Sequence, residues 1–405
     1  DAWTLALGHI AARVFFRPLG AFIASLWLRL PLQPLSSHLS LVLVNAANCD
    51  LLYLLVGRFR SDIALISAVT FAIAPTTVFV AAWIAACFDA EYVFFGLAAL
   101  LAALEFWRGG RTFLCLGSVA AFACGLLCKE SEIVVLPAMA ALWLLDRPRA
   151  SARRFAILCL GVFAVLGLYA VVRGPALLAI GADGAGGYKF GGLIGAASNA
   201  FAYFCWPFAV SQAEISDLLQ RNPTIIAFAA VLHAVLILTL ALRFGSARAL
   251  AYLALYFTPL LPVLVISKYE TQYTYASGVA ISIAMASLFR SRTPWVIGAA
   301  LLSGLLLWHS ATIEAAMYDT GLCQTRARAT AMASLRSLAP VGDNVAVFGD
   351  DDAPWWVAAR AFYQNPFEIG GHTIQLTLVH DNKSAALMFT KDCSVLPSQT
   401  NRHAP

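Results

Sequence analysis

Ten stretches of the chain are almost free of charge, near 35 to 57, 62 to 80, 88 to 107, 112 to 128, 130 to 146, 154 to 173, 224 to 243, 249 to 267, 274 to 290 and 294 to 310. At about 17 to 22 residues each, such runs have the length a helix needs to span roughly 30 Å of hydrocarbon. Polar residues are confined to short connections between them. The pattern predicts an α-helical polytopic membrane protein of about ten or eleven spans. Two further segments fit less simply. Counting 195 to 211 (AASNAFAYFCWPFAVSQ) as a crossing would break the alternation of the connections, so its aromatic content predicts an interfacial or re-entrant helix, with an irregular span as the alternative. Residues 14 to 30 are interrupted by Arg17 and Pro18, which predicts an interfacial helix begun by the proline.

Past residue 311 the pattern becomes that of a water-soluble domain. An arginine-bearing helix is predicted through Leu338, then a turn at Pro340 and Gly342, a strand VAVFGD ending at Asp350, a short helix around Trp356 to Tyr363, and strands in HTIQLTLVH and SAALMFT. The chain therefore divides into a transmembrane domain, 1 to 310, and a small α/β domain, 311 to 405. It opens at Asp1 with no methionine and no charged-then-apolar leader, and so reads as a fragment whose first membrane helix is missing.

Composition agrees with the pattern. Hydrophobic residues make up 60% of the chain and charged residues 12%, against about 25% charged in an ordinary soluble domain. The net charge of +5 is not a nucleic-acid signal, because the basic residues cluster in alternate connections: Arg58 and Arg60; Arg108 and Arg111; Arg147, Arg149, Arg153 and Arg154; Arg243 and Arg248; Arg290 and Arg292. The positive-inside rule assigns all five to the cytoplasm. Arg17, Asp89, Lys129, Glu130, the Gly-rich 181 to 192 segment and the Lys268 to Ser277 stretch then face the other side, and the C-terminal domain is expected to be extracytoplasmic, in a bacterial inner (plasma) membrane. The nine cysteines include no CxxC pair, and seven lie in the apolar portion as packing residues. Cys323 and Cys393 flank the C-terminal segment, where an oxidising compartment would permit a disulfide.

Charges beside a bilayer are costly unless paired or facing water, so their positions carry information. Cys128-Lys129-Glu130-Ser131-Glu132 is a charged knot in a very short turn. It reads either as an ion pair closing a helical hairpin or as a site where Lys129 binds an anionic lipid headgroup and Glu130 orients it or holds a metal. Asp89, with Glu91, opens a span, where a carboxylate suits a helix N-terminus or serves the same site. Arg17 has no acidic neighbour in sequence, which suits an interfacial anchor or a phosphate or distant carboxylate partner. Tyr269, Glu270, Gln272, Tyr273 and Tyr275 form either an aromatic belt or a sugar-binding rim. GADGAGG, 181 to 187, lacks the strand and the Lys-Ser or Lys-Thr of a phosphate loop and reads as a flexible loop. His233 reads as a packed or hydrogen-bonded residue, and Asp350, Asp351 and Asp352 as a solvated loop.

Taken in order, these segments resemble the GT-C superfamily of multi-pass glycosyltransferases, especially bacterial polyprenyl-phosphate-sugar enzymes and their eukaryotic protein mannosyltransferase relatives. Phe16-Arg17-Pro18-Leu19 is similar to the family's aromatic-Arg-Pro-Leu element, and Ser37-His38-Leu39 with Asn48 to its His-Leu helix. Ala74-Pro75, Ala82-Trp83-Ile84 and Asp89 resemble its His-Pro, Ala-Trp-Ile and Asp segment; Leu127-Cys128-Lys129-Glu130 resembles its Ser-Lys-Glu turn, and Tyr273-Thr274-Tyr275 its late Tyr-x-Tyr. The chain departs from the pattern at Ala74, where the family has His, at Cys87, where Arg is common, and at Gln272, where Arg precedes the late Tyr.

The resemblance implies inverting transfer of a sugar from a polyprenyl-phosphate lipid to a glycan, lipid or protein acceptor outside the cytoplasm. Asp1, the only acidic residue upstream of Arg17, would occupy the place of the family's catalytic Asp and act as general base. Arg17 and Lys129 would bind the donor phosphate, with Asp89 or Glu130 orienting them or holding a divalent metal ion. A transporter or flippase of lipid-linked glycans, and a membrane glycan polymerase or ligase, stay open as alternatives. The first should carry midplane charges and repeats, and the second arginines in a large loop, whereas 174 to 197 offers only Lys189.

Overall fold

The computed structural model describes residues 17–183, 190–215, 223–290, 293–337, 344–349, 367–369, 372–379 and 385–398, apart from positions 33, 148, 211 and 268. Asp1, most of the glycine-rich loop, the Asp350 run and the short helix expected near Trp356 lie outside the described residues. The chain divides into two compact units, the first ending at Glu314 and the second beginning at Ala315.

The first unit is helical. Helix α1 is Pro18–Trp27, α2 Leu35–Gly57, α3 Ser61–Ala72, α4 Pro75–Ala82, α5 Cys87–Gly109, α6 Thr112–Cys128, α7 Val135–Asp146 and α8 Ala152–Asp183. Then come α9 Gly192–Cys205, α10 Pro223–Phe244, α11 Ser246–Phe257, α12 Leu261–Leu264, α13 Gly278–Phe289 and α14 Thr293–Ser337. Among the described residues, six helical stretches are long and apolar enough to cross a bilayer: Leu35–Gly57, Ile84–Gly109, Ala152–Arg173, Pro223–Phe244, Ser246–Leu264 and Thr293–Ser337.

The remaining four of the ten apolar runs are shorter or broken, for local reasons. The run at 62 to 80 is split into α3 and α4, bent by 48°. Pro75 supplies no amide hydrogen and opens α4 at its first position. The run at 130 to 146 spends its first five residues in a 3-10 turn, Glu130–Val134, and that at 274 to 290 follows another, Thr271–Thr274, leaving α7 and α13 at 12 residues each. Helix α6 has 17 residues. Residues 18 to 27 form the expected helix with proline in its first turn, and 192 to 205 form a 14-residue helix, too short to cross. The last apolar run and the arginine-bearing helix expected through Leu338 form one continuous helix, α14, of 45 residues ending at Ser337.

Helix α5 organises this unit. It packs against α2, α6 and α7 around a core that includes Leu52, Phe71, Leu97, Trp107 and Phe122. Its C-terminus is closed by Gly110 in the left-handed conformation (φ +77°), where a Cβ would lie 2.5 Å from the Arg154 guanidinium carbon. Charges gather at its two ends. At the C-terminal end Arg58 pairs with Glu105 at 2.7 Å, Arg108 with Asp146 at 2.6 Å, and Trp107 donates to Asp146 at 2.9 Å. At the N-terminal end, about 24 Å away along the axis at 1.5 Å per residue, lie Asp89, Glu91 and Tyr92.

Glycine decides how tightly α6 meets the turn that follows it. Glu132 is fully buried against Gly125, where a Cβ would sit 2.3 Å from the Glu132 carboxyl carbon, and against Gly96, where it would sit 3.1 Å from Oε2.

The second unit is a five-stranded sheet of order β2-β3-β1-β4-β5, with β1 Asn344–Gly349, β2 Phe367–Ile369, β3 His372–Val379, β4 Leu387–Phe389 and β5 Val395–Pro397. The central β1 pairs in parallel with β3 and β4, and the outer strands pair antiparallel. The strands at 344, 372 and 387 are those expected from VAVFGD, HTIQLTLVH and SAALMFT. Ala327, Ala331 and Leu335 of α14 complete the core with Val347, Leu376 and Phe389. Cys323 and Cys393 form a disulfide across a sequence separation of 70 residues. The other seven cysteines are free thiols in the apolar unit.

Replacing Gly125 by Ala is expected to cost about 1–3 kcal/mol through overpacking against Glu132, read as a lowered thermal midpoint in detergent, with Gly125→Ala/Glu132→Ala recovering part of the loss. An unchanged midpoint in the single variant refutes the close packing. Removing the disulfide with Cys323→Ser/Cys393→Ser releases a loop constraint worth about 4 kcal/mol in the chain-entropy account. The variant's C-terminal region is expected to be cleaved by trypsin several-fold faster than the parent's; equal rates would count against that role.

Candidate active site

The site is built where α6 stops. Lys129 leaves the helix in extended conformation (φ −158°, ψ 139°), and the 3-10 turn Glu130–Val134 starts immediately. This break turns consecutive side chains in different directions. Lys129 reaches the first turn of α5 and hydrogen-bonds Asp89 Oδ1, while Glu130 reaches Arg17, whose Nη2 and Nε lie 3.2 and 3.3 Å from Oε2. Asp89 makes no capping hydrogen bond to its own helix. Its carboxylate is spent on Lys129.

The two pairs differ in exposure. The Lys129 and Asp89 side chains are 3% and 4% exposed, those of Arg17 and Glu130 17% and 23%. Burial pushes the Lys129 ammonium below its ordinary pKa range, and the Asp89 charge pulls it back up. Aromatic faces complete the enclosure: Lys129 Nζ lies 4.6 Å from the Tyr273 ring centroid and 5.7 Å from that of Tyr92, and the Arg17 guanidinium lies 5.3 Å from the Phe88 ring.

Asp89 is held in place from behind. Asn48 of α2 donates to the Ala90 carbonyl and to the Tyr275 hydroxyl, each at 2.9 Å, and Tyr275 donates to Asn45. Tyr275 is thus fully buried. It is not part of a solvent-facing rim, because the 3-10 turn Thr271–Thr274 swings it inward between α2 and α3, with its ring 5.3 Å from Phe71. Of the other rim candidates, Tyr273 faces Lys129, Glu270 accepts a hydrogen bond from Gln272 and lies within electrostatic reach of Asp89, and Tyr269 is half-buried.

Three residues belong to this site without having been singled out by sequence reasoning. Tyr92 flanks Lys129, and Tyr169 lies within electrostatic reach of Glu130, Arg17 and Arg173. Arg173 is 2% exposed. A signal for it was present: it is a lone basic residue at the far end of the 154 to 173 run from Arg153 and Arg154, hence on the Lys129 side. Two further carboxylates are buried nearby: Glu91, which meets the Cys128 thiol, and Glu132, neither of whose oxygens has a hydrogen-bond partner among the described residues. His233 is a packing residue, between the Phe204 carbonyl and the Tyr252 hydroxyl. Asp1 lies outside the described residues.

Lys129 lies within electrostatic reach of Arg17, and Arg17 and Arg173 each lie within reach of Tyr169, so basic side chains from three segments gather at one end of the bundle, two of them held by carboxylates. Among the described residues no group of three or more His, Cys, Asp or Glu side chains is arranged to hold a metal ion, and Asp89 and Glu130 are each engaged by a basic side chain.

Residues 17–173 match the family model of dolichyl-phosphate-mannose-protein mannosyltransferases. The matched segment starts and ends on two of the site's arginines and contains Asp89, Lys129 and Glu130. This match supports a GT-C-like membrane glycosyltransferase. No curated protein and no solved structure matches the chain.

Breaking the buried pair on one side is expected to be severe. Asp89→Asn strands a buried ammonium, a change that costs about 3–5 kcal/mol in comparable buried pairs. The double variant Asp89→Asn/Lys129→Met should recover most of the thermal midpoint measured in detergent. Equal midpoints for Asp89→Asn and the parent would show that the pair is not desolvated as described.

Proposed function

We propose that the chain transfers a sugar from a polyprenyl-phosphate donor to a hydroxyl acceptor on the extracytoplasmic side of the membrane, by a single inverting displacement. The observation that carries the reading is the buried Lys129–Asp89 pair, with Arg17 within electrostatic reach of it, inside the segment that matches the mannosyltransferase family.

In this reading the acceptor oxygen attacks the anomeric carbon, forming the new glycosidic bond, while the bond from that carbon to the phosphate oxygen breaks. The phosphate leaves with the bonding pair and gains charge as it does so. Lys129 and Arg17 meet that charge, Arg173 adds to the positive potential, and Asp89 and Glu130 hold the two nearer cations in position before the donor arrives. The acceptor proton passes to a carboxylate, for which the family resemblance nominates Asp1. Tyr273 and Tyr92, faced on Lys129, would border the sugar. The arginine-rich connections support the extracytoplasmic side: their ion pairs lie at the far end of α5 from Asp89, and basic connections tend to face the cytoplasm.

Purified protein incubated with a panel of polyprenyl-phosphate sugars and candidate acceptors, with products weighed by mass spectrometry, should yield one glycosylated product with inverted anomeric configuration. With the active donor, Lys129→Ala is expected to lose about 10²–10³ in kcat, the size of a lost preorganised electrostatic contact, and Asp1→Asn at least as much. Near-normal turnover in both removes this mechanism.

A further inference from the structure

The opposite end of the bundle carries a second cluster of cations, which glycosyl transfer does not use. Arg60 opens α3, Arg243 closes α10, Arg248 lies in the first turn of α11, and Arg290 follows α13. All four line one cavity of about 670 Å³. A single carboxylate, Asp62, is shared between two of them: both its oxygens take Arg60 at 2.8 Å, and Arg290 lies 3.3 Å from Oδ2. Among the described residues no carboxylate pairs with Arg243 or Arg248.

Geometry concentrates the unpaired charge. Gly245, at φ +95°, turns the chain sharply between α10 and α11. Arg243 and Arg248 are thereby brought to the same aromatic side chain, their guanidinium carbons 5.2 and 5.5 Å from the Phe244 ring centroid. Two like charges on one ring repel each other unless an anion lies between them. Arg243 Nε is also buried without a hydrogen-bond partner, and a buried donor left unmade is costly. Both facts ask for an oxygen-rich anion, and paired guanidiniums fit phosphate in particular. Apart from Tyr252 and Ser287 the rest of the lining is apolar, with Leu240 and Phe244 among the walls, which suits hydrocarbon rather than a free, fully hydrated ion.

We propose that this cavity is a binding site for an anionic phospholipid, its phosphate seated among Arg243, Arg248, Arg60 and Arg290 and an acyl chain lying along Leu240 and Phe244. Basic pockets between helices at the cytoplasmic surface take such headgroups. The site is separate from the Lys129 cluster, and the proposal stands whether or not the chain transfers sugars.

Native mass spectrometry of the detergent-purified full chain, titrated with phosphatidylglycerol or with phosphatidylcholine of the same acyl chains, tests it. The parent should retain phosphatidylglycerol in preference. Arg243→Gln/Arg248→Gln should lose about tenfold in apparent affinity, the effect expected for one charge-assisted hydrogen bond, and its phosphatidylcholine binding should not change. The single variant Arg248→Gln, at an exposed position, serves if the double variant does not fold, and should show a smaller loss in the same direction. Equal retention of the two lipids by the parent, or an undiminished preference in both variants, overturns the proposal. Full displacement of the lipid by millimolar glycerol 3-phosphate overturns it too, since the site would then be one for a soluble phosphate.

Discussion

The Lys129–Asp89 ion pair constrains everything around it. Each group is nearly inaccessible to solvent, and either charge alone would carry a desolvation penalty of several kcal/mol. They must therefore be buried together, which ties the end of α6 to the start of α5. Asn48 and Tyr275 fix the same turn of α5 to α2 through Ala90, and Glu130 draws in Arg17 from the start of α1. Four segments far apart in sequence thus meet at one point because one pair of charges cannot be left unpaired in an apolar surrounding. The cations gathered there are thereby held in fixed orientation by their carboxylate partners.

What the sequence made legible follows from the physics of each signal. Charges within apolar surroundings are rare and conspicuous, so Arg17, Asp89, Lys129 and Glu130 stood out, and all four come together. Tyr92 and Tyr169 did not stand out, since an aromatic residue in a membrane helix is unremarkable until its neighbour is known. Tyr275 was read as a belt or rim residue, but the inward turn before α13 is a 3-10 segment, whose direction hydrophobic periodicity does not report. Long apolar runs such as 154 to 173 and 224 to 243 became helices of matching extent. Pro75, and the turns at Glu130 and Thr271, shortened others, because hydropathy counts residues without asking whether each contributes the same rise. The end of α14 was read within a residue, but as a separate helix from the span before it, because past 310 apolarity stops while the Ala- and Arg-rich sequence remains a good helix former and continues the same helix.

The two ends of the first unit solve the problem of membrane charge in different ways. At the Lys129 end cations are enclosed, matched by carboxylates and faced by aromatic rings. At the other end Arg58 and Arg108 are matched by Glu105 and Asp146, but Arg243 and Arg248 are not matched within the described chain. The difference is one between charges matched within the protein and charges that the described chain leaves unmatched.

Helix α5 is pinned at both of these ends, by Lys129 near its start and by Arg58 and Asp146 near its finish. A membrane helix held at one end can slide, tilt or draw its terminal charges toward water when the bilayer thickens or thins. Held at both, it has lost that freedom. Tilting of the bundle as a whole and deformation of the hydrocarbon layer are the responses left to it, and strain that neither relieves would fall on the contacts at its ends, Lys129–Asp89 among them. Membrane thickness is in that sense a structural parameter of the site itself.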